Sequence, residues 1–421
     1  MKKICLTVVG IYILLLHAFA QTSNSVDSAY EPKPLKLDEI NLVSSYYNQN
    51  GDHSAILGGI GNEHVVDLAN GLELNFVGWD ARKNKHTITA GLGFDHHTSA
   101  SAAYVSKTGA SKTGGTRVYP SFNWLVENEN KGTSFGLGAY YSAEYNYHSL
   151  GLDASYSKKT NNNGQFDGKI SAYFDQVKLI YPSELIPVSS TPTTSSGATY
   201  ITTASGNTVL SGGGGYTDEK PKIPSAPRNT YDASLTFSQV INKRLQASVM
   251  LDLVSQSGYL GLPFHRVYFN DGTDHVENLP SLRYKIPIGI RLNYFAGDNL
   301  IIRAYYRYYF DQWGIQSHTI DLEVPVKITP FFSLSPFYRY YIQTAARYFA
   351  PYGMHTAADQ YYTSNYALSA LSSNFFGMGL RLSPPDGILK THLSNIEVRY
   401  GHYLQTTDLL ANIVSFAFQF K

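Results

Sequence analysis

Along most of this chain apolar residues stand at every second position, and short polar clusters break the alternation. Leu72, Leu74 and Phe76 alternate, Arg82-Lys83-Asn84-Lys85 interrupts, and Ile88, Ala90, Leu92 and Phe94 resume the pattern. Successive side chains of a strand point to opposite faces, so each segment carries one apolar face and the polar cluster reads as a hairpin turn. The same arrangement recurs in Phe135, Leu137, Ala139, Tyr141 with Leu150, Leu152, Ala154, Tyr156, and in Tyr231 to Phe237 with Leu245 to Leu253 around Asn242-Lys243. Around Ala296-Gly297-Asp298 the alternating run Leu282 to Tyr294 precedes Leu300 to Phe310. No long helical stripe appears, which predicts an all-β chain of antiparallel pairs.

The connections fall into two classes. Short turns occur near 83, 129, 161, 242, 297, 329 and 386, and longer stretches at 50–70, 99–116, 179–229, 257–280 and 345–372. Strands of about 10 residues suffice to cross hydrocarbon when tilted, and outer-membrane barrels have short turns at one end and long loops at the other. With both termini at the short-turn end, the pattern predicts a transmembrane antiparallel β-barrel of about 16 strands, roughly 14 to 18 being compatible with the boundaries. Ser189 to Gly197 and Gly212-Gly213-Gly214-Gly215 are too polar and glycine-rich to order themselves by burial. The span 179–229 is therefore expected to be a long flexible external loop, with an interdomain linker as the alternative.

The first residues read as a leader. Lys2-Lys3, the apolar run Ile4 to Leu16 and Ala18-Phe19-Ala20 match a secretory signal peptide, 1–20, cleaved near Ala20-Gln21. The apolar run of about 13 residues is shorter than the ~20 a spanning helix needs, and no later stretch reaches that length. Residues 21–36 then form a short periplasmic segment and 37–421 the barrel. The single cysteine, Cys5, lies in the leader, which removes disulfides and thiol chemistry from the exported part.

Composition narrows the class further. A soluble chain of this length would hold two or three domains of about 150 residues. Instead there are 34 Tyr and 35 Gly, 15 % charged residues, and a net charge of +1 from 33 Lys+Arg and 32 Asp+Glu. That balance suits aromatic girdles around a polar interior and offers no basic surface to nucleic acid. Trp79, Trp124, Trp313 and the tyrosine runs are the expected girdle residues.

The blocks NLVSSYYNQNGDHSA, GFDHHTSAS, YPSFNWLVENENKGT, GLPFHRVYFNDGT, YRYYFDQWGIQSHT, VPVKITPFFSLSPFYRYYIQTAARYFAP and EVRYGHY, in this order, resemble the Bacteroidetes branch of the uncharacterised outer-membrane family, domain of unknown function 3570. The resemblance spans about Leu37 to Lys421. It implies a single-domain barrel in a Gram-negative outer membrane, with no established activity, no cofactor and no catalytic residues to transfer. The family's setting beside flavin transferases, thioredoxin-like proteins and small lipoproteins implies an envelope lipoprotein or redox partner, in addition to outer-membrane lipid and the barrel-assembly machinery.

If the apolar set faces lipid, the opposite set faces the lumen. Its charged members are Arg283, Lys285, Arg291, Arg303, Arg307, Asp321, Glu323, Arg339, Glu397 and Arg399. Rings of Arg and Lys favour anions, which reads as a selective constriction; pairing with the carboxylates reads instead as a salt-bridged wall. Asp95 and His97 share a strand face and are weak metal candidates, whereas the adjacent His96 points away. A barrel hydrolase would need Ser and His brought together, and Ser317-His318 with Asp311 has no diagnostic spacing or G-x-S-x-G elbow. The end NIVSFAFQFK places Val414, Phe416, Phe418 and Phe420 on one face, expected toward lipid, with Ser415 and Gln419 toward the lumen. The phenylalanines also read as the C-terminal assembly signal, and the strand is expected to close the barrel against Leu42 to Tyr47. The expected function is a non-enzymatic pore for an unknown solute. A plugged scaffold for an envelope complex and a barrel hydrolase stand as alternatives.

Overall fold

The computed structural model describes residues 31–98, 114–185, 199–202, 208–211 and 223–421. The expected leader with its cleavage site, and most of the low-complexity part of 179–229, lie outside them. In chain order the strands are β1 (Lys33–Asn50), β2 (Val65–Trp79), β3 (Lys85–His97), β4 (Gly115–Asn128), β5 (Thr133–Glu144), β6 (Tyr147–Lys159) and β7 (Gly164–Lys178). A small hairpin, β8 (Thr199–Thr202) and β9 (Thr208–Ser211), precedes β10 (Ser225–Asn242) and β11 (Leu245–Gly258). A second, β12 (Arg266–Tyr268) and β13 (Asp274–Val276), precedes β14 (Leu282–Phe295), β15 (Ile301–Asp311), β16 (Gln316–Glu323) and β17 (Val326–Thr329). The chain ends on β18 (Phe332–Gln343), β19 (Leu371–Leu382), β20 (Leu393–Gln405) and β21 (Leu409–Phe420).

Each large strand pairs antiparallel with its neighbour, and β21 pairs with β1 from Ile40↔Phe420 to Asn50↔Leu410, which closes the ring. β16 and β17 both pair with β18 and act as one stave, broken at Val324-Pro325. Pro325 has no N–H to give to a ladder, but its carbonyl still accepts from Ile301 N at 3.0 Å. The result is a closed all-antiparallel barrel of sixteen staves. Its outer face is the apolar set: Leu92, Ile170, Leu235, Ile290, Ile320 and Phe416 are all exposed. A sandwich would have buried them; here a continuous apolar belt surrounds the barrel, the surface a bilayer covers.

Seven connections at the end holding both termini are compact, from 80–84 to 383–392. Two expectations change at the other end. Strict alternation of short and long fails, because 145–146, 312–315 and 406–408 are tight turns beside the long connections 51–64, 98–114, 179–224, 259–281 and 344–370. Gly314 (φ 91) and Asp408 (φ 55) supply the left-handed residues that two of those turns need. The boundaries also shift. β1 begins at Lys33, inside the expected periplasmic segment 21–36, and β10 begins at Ser225, inside the expected loop 179–229.

Candidate functional site

The polar face of β15 to β20 carries a connected set of charges. Arg303 pairs with Glu323 at 3.3 Å, Arg339 donates to Asp321 at 2.8 Å, and Arg399 reaches both Glu323 (3.0 Å) and Glu397 (3.1 Å). Arg399 on β20 touches Glu323 on β16 although β18 and β19 lie between them. Only the concave side of a closed sheet lets side chains bridge two intervening staves, so this is the inner face. Asp321, Glu323, Arg339 and Arg399 share a cavity of about 210 Å³ with Phe337, Phe375 and Ser415. The Arg303 and Arg339 side chains are each 50 % exposed despite pointing into the ring.

The remaining candidates divide by partner. Arg283 is forked onto Asp311 (2.9 Å from Nε) and lies 4.1 Å from the Trp313 ring. Arg291 stacks over Tyr305 at 5.5 Å. Neither Arg291, Lys285 nor Arg307 is in ion-pair contact with a carboxylate among the described residues. Asp95 binds Arg117 (2.9 Å to Nε), and His97 lies 3.2 Å from Glu144, so the two weak metal candidates are drawn to different neighbours. Among the described residues no group of three His, Cys, Asp or Glu is placed to hold a metal ion. Ser317 and His318 occupy opposite faces of β16, and His318 bonds Tyr306 Oη at 2.8 Å. At the seam Gln419 donates to Glu39 at 2.5 Å on the inner face, while Phe416, Phe418 and Phe420 alternate with it.

Over the mouth the long connections fold together. In a ring of sixteen staves the β1–β2 connection stands opposite the β11–β14 connection, with six staves between them on either side. Yet Arg266, only 1 % exposed, donates from Nη1 to the Ile56 carbonyl at 2.9 Å and from Nε to Glu184 of the β7–β10 connection at 2.5 Å. A side chain at Gly58 (φ 80) would lie 2.5 Å from the Tyr268 ring, a clearance that only glycine permits. His53 stacks on Tyr366 of the β18–β19 connection with ring centroids 3.7 Å apart. Loops rooted on opposite sides of the ring can touch only by crossing the mouth, and these form a roof over it.

The roof has a core of its own. Phe264, Val267 and Phe269 are buried in it, and Trp313, Ile315 and Ala346 make a second cluster with Leu260, Leu279, Tyr348 and Leu368. Glu277 is buried and held by Thr363 Oγ1 (2.5 Å) and Leu262 N (2.8 Å), with His265 Nδ1 at 3.6 Å. Burial by itself raises the Glu277 carboxyl; the His265 charge and these donors outweigh it and hold the group below its ordinary range. At Glu63, on the rim, burial prevails over His53 and His265 and the carboxyl is raised. His355 donates from Nε2 to the Thr363 carbonyl at 3.0 Å and caps the same knot. None of Arg266, Glu277, Thr363 or His355 stood out in the alternation; the one sequence signal was the aromatic run Phe264 to Phe269, too apolar for a plain loop.

The family model described as "Protein of unknown function (DUF3570)" matches residues 80–412. Among curated proteins none matches. Solved structures similar to this chain include OpdQ of Pseudomonas aeruginosa (9 % identity, 93 % of this chain and 99 % of that one, TM-score 0.41) and OccAB3 of Acinetobacter baumannii (8 %, 91 % and 98 %, TM-score 0.39). OpdK of Pseudomonas aeruginosa with vanillate is similar at 9 % identity over 90 % of this chain and 98 % of that one, TM-score 0.40. At such identities and scores the likeness carries no argument about solute or activity.

Proposed function

We propose that this chain, which belongs to the DUF3570 family of proteins of unknown function, is a non-enzymatic outer-membrane channel with a polar, solvated lumen and a folded roof over its external mouth. The supporting observation is the half exposure of Arg303 and Arg339 inside a closed ring whose buried apolar residues cluster toward the roofed end. A sixteen-stave barrel is wide enough to leave an aqueous interior, and guanidinium groups stay solvated only where water reaches them. Anionic solutes are favoured, because the wall from β14 to β20 carries cations that lack carboxylates. The solute enters past the roof, which narrows the passage relative to an open pore.

Planar-bilayer recording of the purified full-length protein tests this. Small, anion-preferring conductance steps are expected. Absence of conductance at any voltage, together with liposomes that stay impermeable to small sugars, retires the channel. A second reading, a closed barrel serving as scaffold for an envelope lipoprotein or redox partner, rests on the roof itself. It predicts no conductance in the native protein and none after the roof is loosened.

A further inference from the structure

The recess of about 210 Å³ on the inner wall has a floor unlike the face around it. Nearby inner-face rings belong to Tyr305, Tyr309, Tyr341 and Tyr403, each with a hydroxyl to offer water. Phe337 and Phe375 have none, although they pair directly with Glu323 and Arg339 on the same polar face. Both line the recess, their centroids 5.1 Å apart.

Two glycines set how these rings lie. A Cβ at Gly377 on β19 would come within 2.7 Å of the Phe337 ring, and one at Gly401 on β20 within 2.5 Å of Phe375 and 3.4 Å of Phe337. A ring rooted on β18 that reaches Gly401 on β20 lies along the wall and does not stand out into the lumen. The two rings therefore pave the recess, an apolar floor whose exposure a bound apolar surface would relieve.

The rim is polar, fixed and balanced. Arg339 is held through Nε by Asp321 (2.8 Å), and Arg399 through Nη1 by Glu323 (3.0 Å) and Glu397 (3.1 Å). With Arg303, which shares Glu323, three cations meet three carboxylates. A guanidinium has five N–H donors and a carboxylate about four acceptor sites, so these pairs keep donors and acceptors in reserve. The Arg339 and Arg399 side chains are 50 % and 37 % exposed, so a solute in the lumen reaches them. What fits such a rim and floor is an uncharged ring with hydroxyls at its edge and C–H bonds for the negative face of an aromatic ring. A pyranose is such a ring. A planar aromatic acid is not, because its carboxylate would find no unmatched cation here. The volume equals the liquid share of about seven waters, room for one such ring.

We infer that the recess is a binding subsite for the pyranose ring of a sugar, stacked on Phe337 and Phe375 and hydrogen-bonded through its hydroxyls by Asp321, Glu323, Arg339 and Arg399. This deepens the channel reading and rests on it for the solute's path, but binding itself does not require conduction. The anion preference of the lumen acts on any acid group the sugar carries outside the recess.

The test reads binding directly, by saturation transfer from protein to solute protons in NMR, on the full-length protein in a detergent without a sugar headgroup. The probes are glucose, glucuronate, mannitol, which has the hydroxyls without the ring, and benzoate, a planar acid without hydroxyls. Glucose and glucuronate are expected to take saturation at their ring C–H protons, and mannitol and benzoate to take none beyond detergent alone. Phe375→Leu, which keeps apolar bulk and loses the ring face, is expected to raise the half-saturating glucose concentration roughly three- to tenfold. Ser121→Ala, across the ring on β4, is expected to leave it unchanged. Asp321→Asn, which keeps the shape and loses the anionic acceptor, serves should the leucine variant not assemble, and is expected to weaken binding several-fold. A signal from glucuronate and none from glucose overturns the subsite, since charge and not the ring would then be read. Benzoate bound without glucose, mannitol bound as well as glucose, equal binding in wild type and variants, or no sugar signal at all overturns it too. A protein that binds glucose and never conducts keeps the subsite and loses the channel; one that conducts and binds no sugar does the reverse.

Discussion

The roof and the inner wall hold their charges in opposite ways. In the roof, Arg266 and Glu277 are almost wholly buried and bond to Glu184, the Ile56 carbonyl, Thr363 and the Leu262 amide. On the wall, Arg303 and Arg339 are half in water, and their ion pairs lie along a solvated surface. Breaking a buried pair leaves an unpaired charge at a cost of about 3–5 kcal/mol, whereas an exposed pair is worth about 0–1 kcal/mol. The roof is thus built like the interior of a soluble protein and the wall like the surface of one. The fixed, buried contacts of this chain sit at the mouth, and the water-exposed charges sit below it.

Both regions depend on the ring, so the largest effect comes from opening its seam. Phe420 alternates with Gln419 on β21, one toward the belt and the other bonded to Glu39 inside. Phe420→Asp is expected to lower the heat-modifiable outer-membrane fraction several-fold, while Gln419→Asp, which gives up one bond to Glu39 but keeps its charge on the polar inner face, assembles nearly as wild type. Equal assembly of the two variants would contradict this assignment of faces and with it the comparison of roof and wall.

Next in size is Arg266→Ala. It removes the donors that Arg266 gives to the Ile56 carbonyl and the Glu184 carboxylate and leaves a void between three connections. Loss of about 3–5 kcal/mol of roof cohesion is expected to expose residues 259–281 to protease while the barrel still migrates as a compact band. Conductance should rise as the roof loosens. Unchanged protease resistance would mean that the buried pair does not hold the roof together.

The barrel was legible in the sequence and the roof was not, for one physical reason. Period-two alternation reports a strand with two different solvents on its faces, so β2, β14, β15 and β21 could be read directly, as could the closure of the last strand against the one holding Leu42 to Tyr47. The roof is irregular backbone stabilised by contacts far apart in sequence, such as Arg266 to Ile56 and Thr363 to Glu277, and no local period reports them. The tight turns at 145–146, 312–315 and 406–408 escaped for a related reason. Nothing in Tyr145-Asn146 or Thr406-Thr407-Asp408 sets a two- or three-residue turn apart from the edge of a longer loop. On the wall, the charged residues could be listed from alternation, but which cation goes unpaired depends on register between neighbouring staves. Arg307 falls opposite Thr319, and Arg303 opposite Glu323.

Acid sharpens the contrast without any substitution. The Glu277 carboxyl is held below its ordinary value, so the ionised form favours the folded roof. That stabilisation is complete above the ordinary carboxylate value of 4.5 and is lost as the pH falls below it through the lowered native value. Asp359, lowered by the Thr356 amide and by His355, acts in the same direction, while Glu63, raised by burial, acts in the other. Hydrogen exchange in 259–281 should stay slow from neutral pH to about 5 and quicken below about 4.5. Glu277→Gln should flatten that step. A step that persists unchanged in the variant would place the acid sensitivity elsewhere in the roof.

The smallest expected effect on stability comes from the wall. Glu323 serves two cations, Arg303 at 3.3 Å and Arg399 at 3.0 Å, on side chains that remain partly in water. Glu323→Gln therefore removes one negative charge, leaving the Arg303 guanidinium free to hydrate and Arg399 with Glu397 alone, at a stability cost of about 1 kcal/mol or less. Permeation should respond more than folding does, because an uncompensated cation in a confined lumen attracts anions over a Debye length of roughly 8 Å at physiological salt. The reversal potential in a salt gradient is expected to move toward the anion's while the melting of the compact band barely shifts. The opposite pattern, a large loss of stability with unchanged selectivity, would mean that the wall is packed like the roof and that the two regions do not differ in kind.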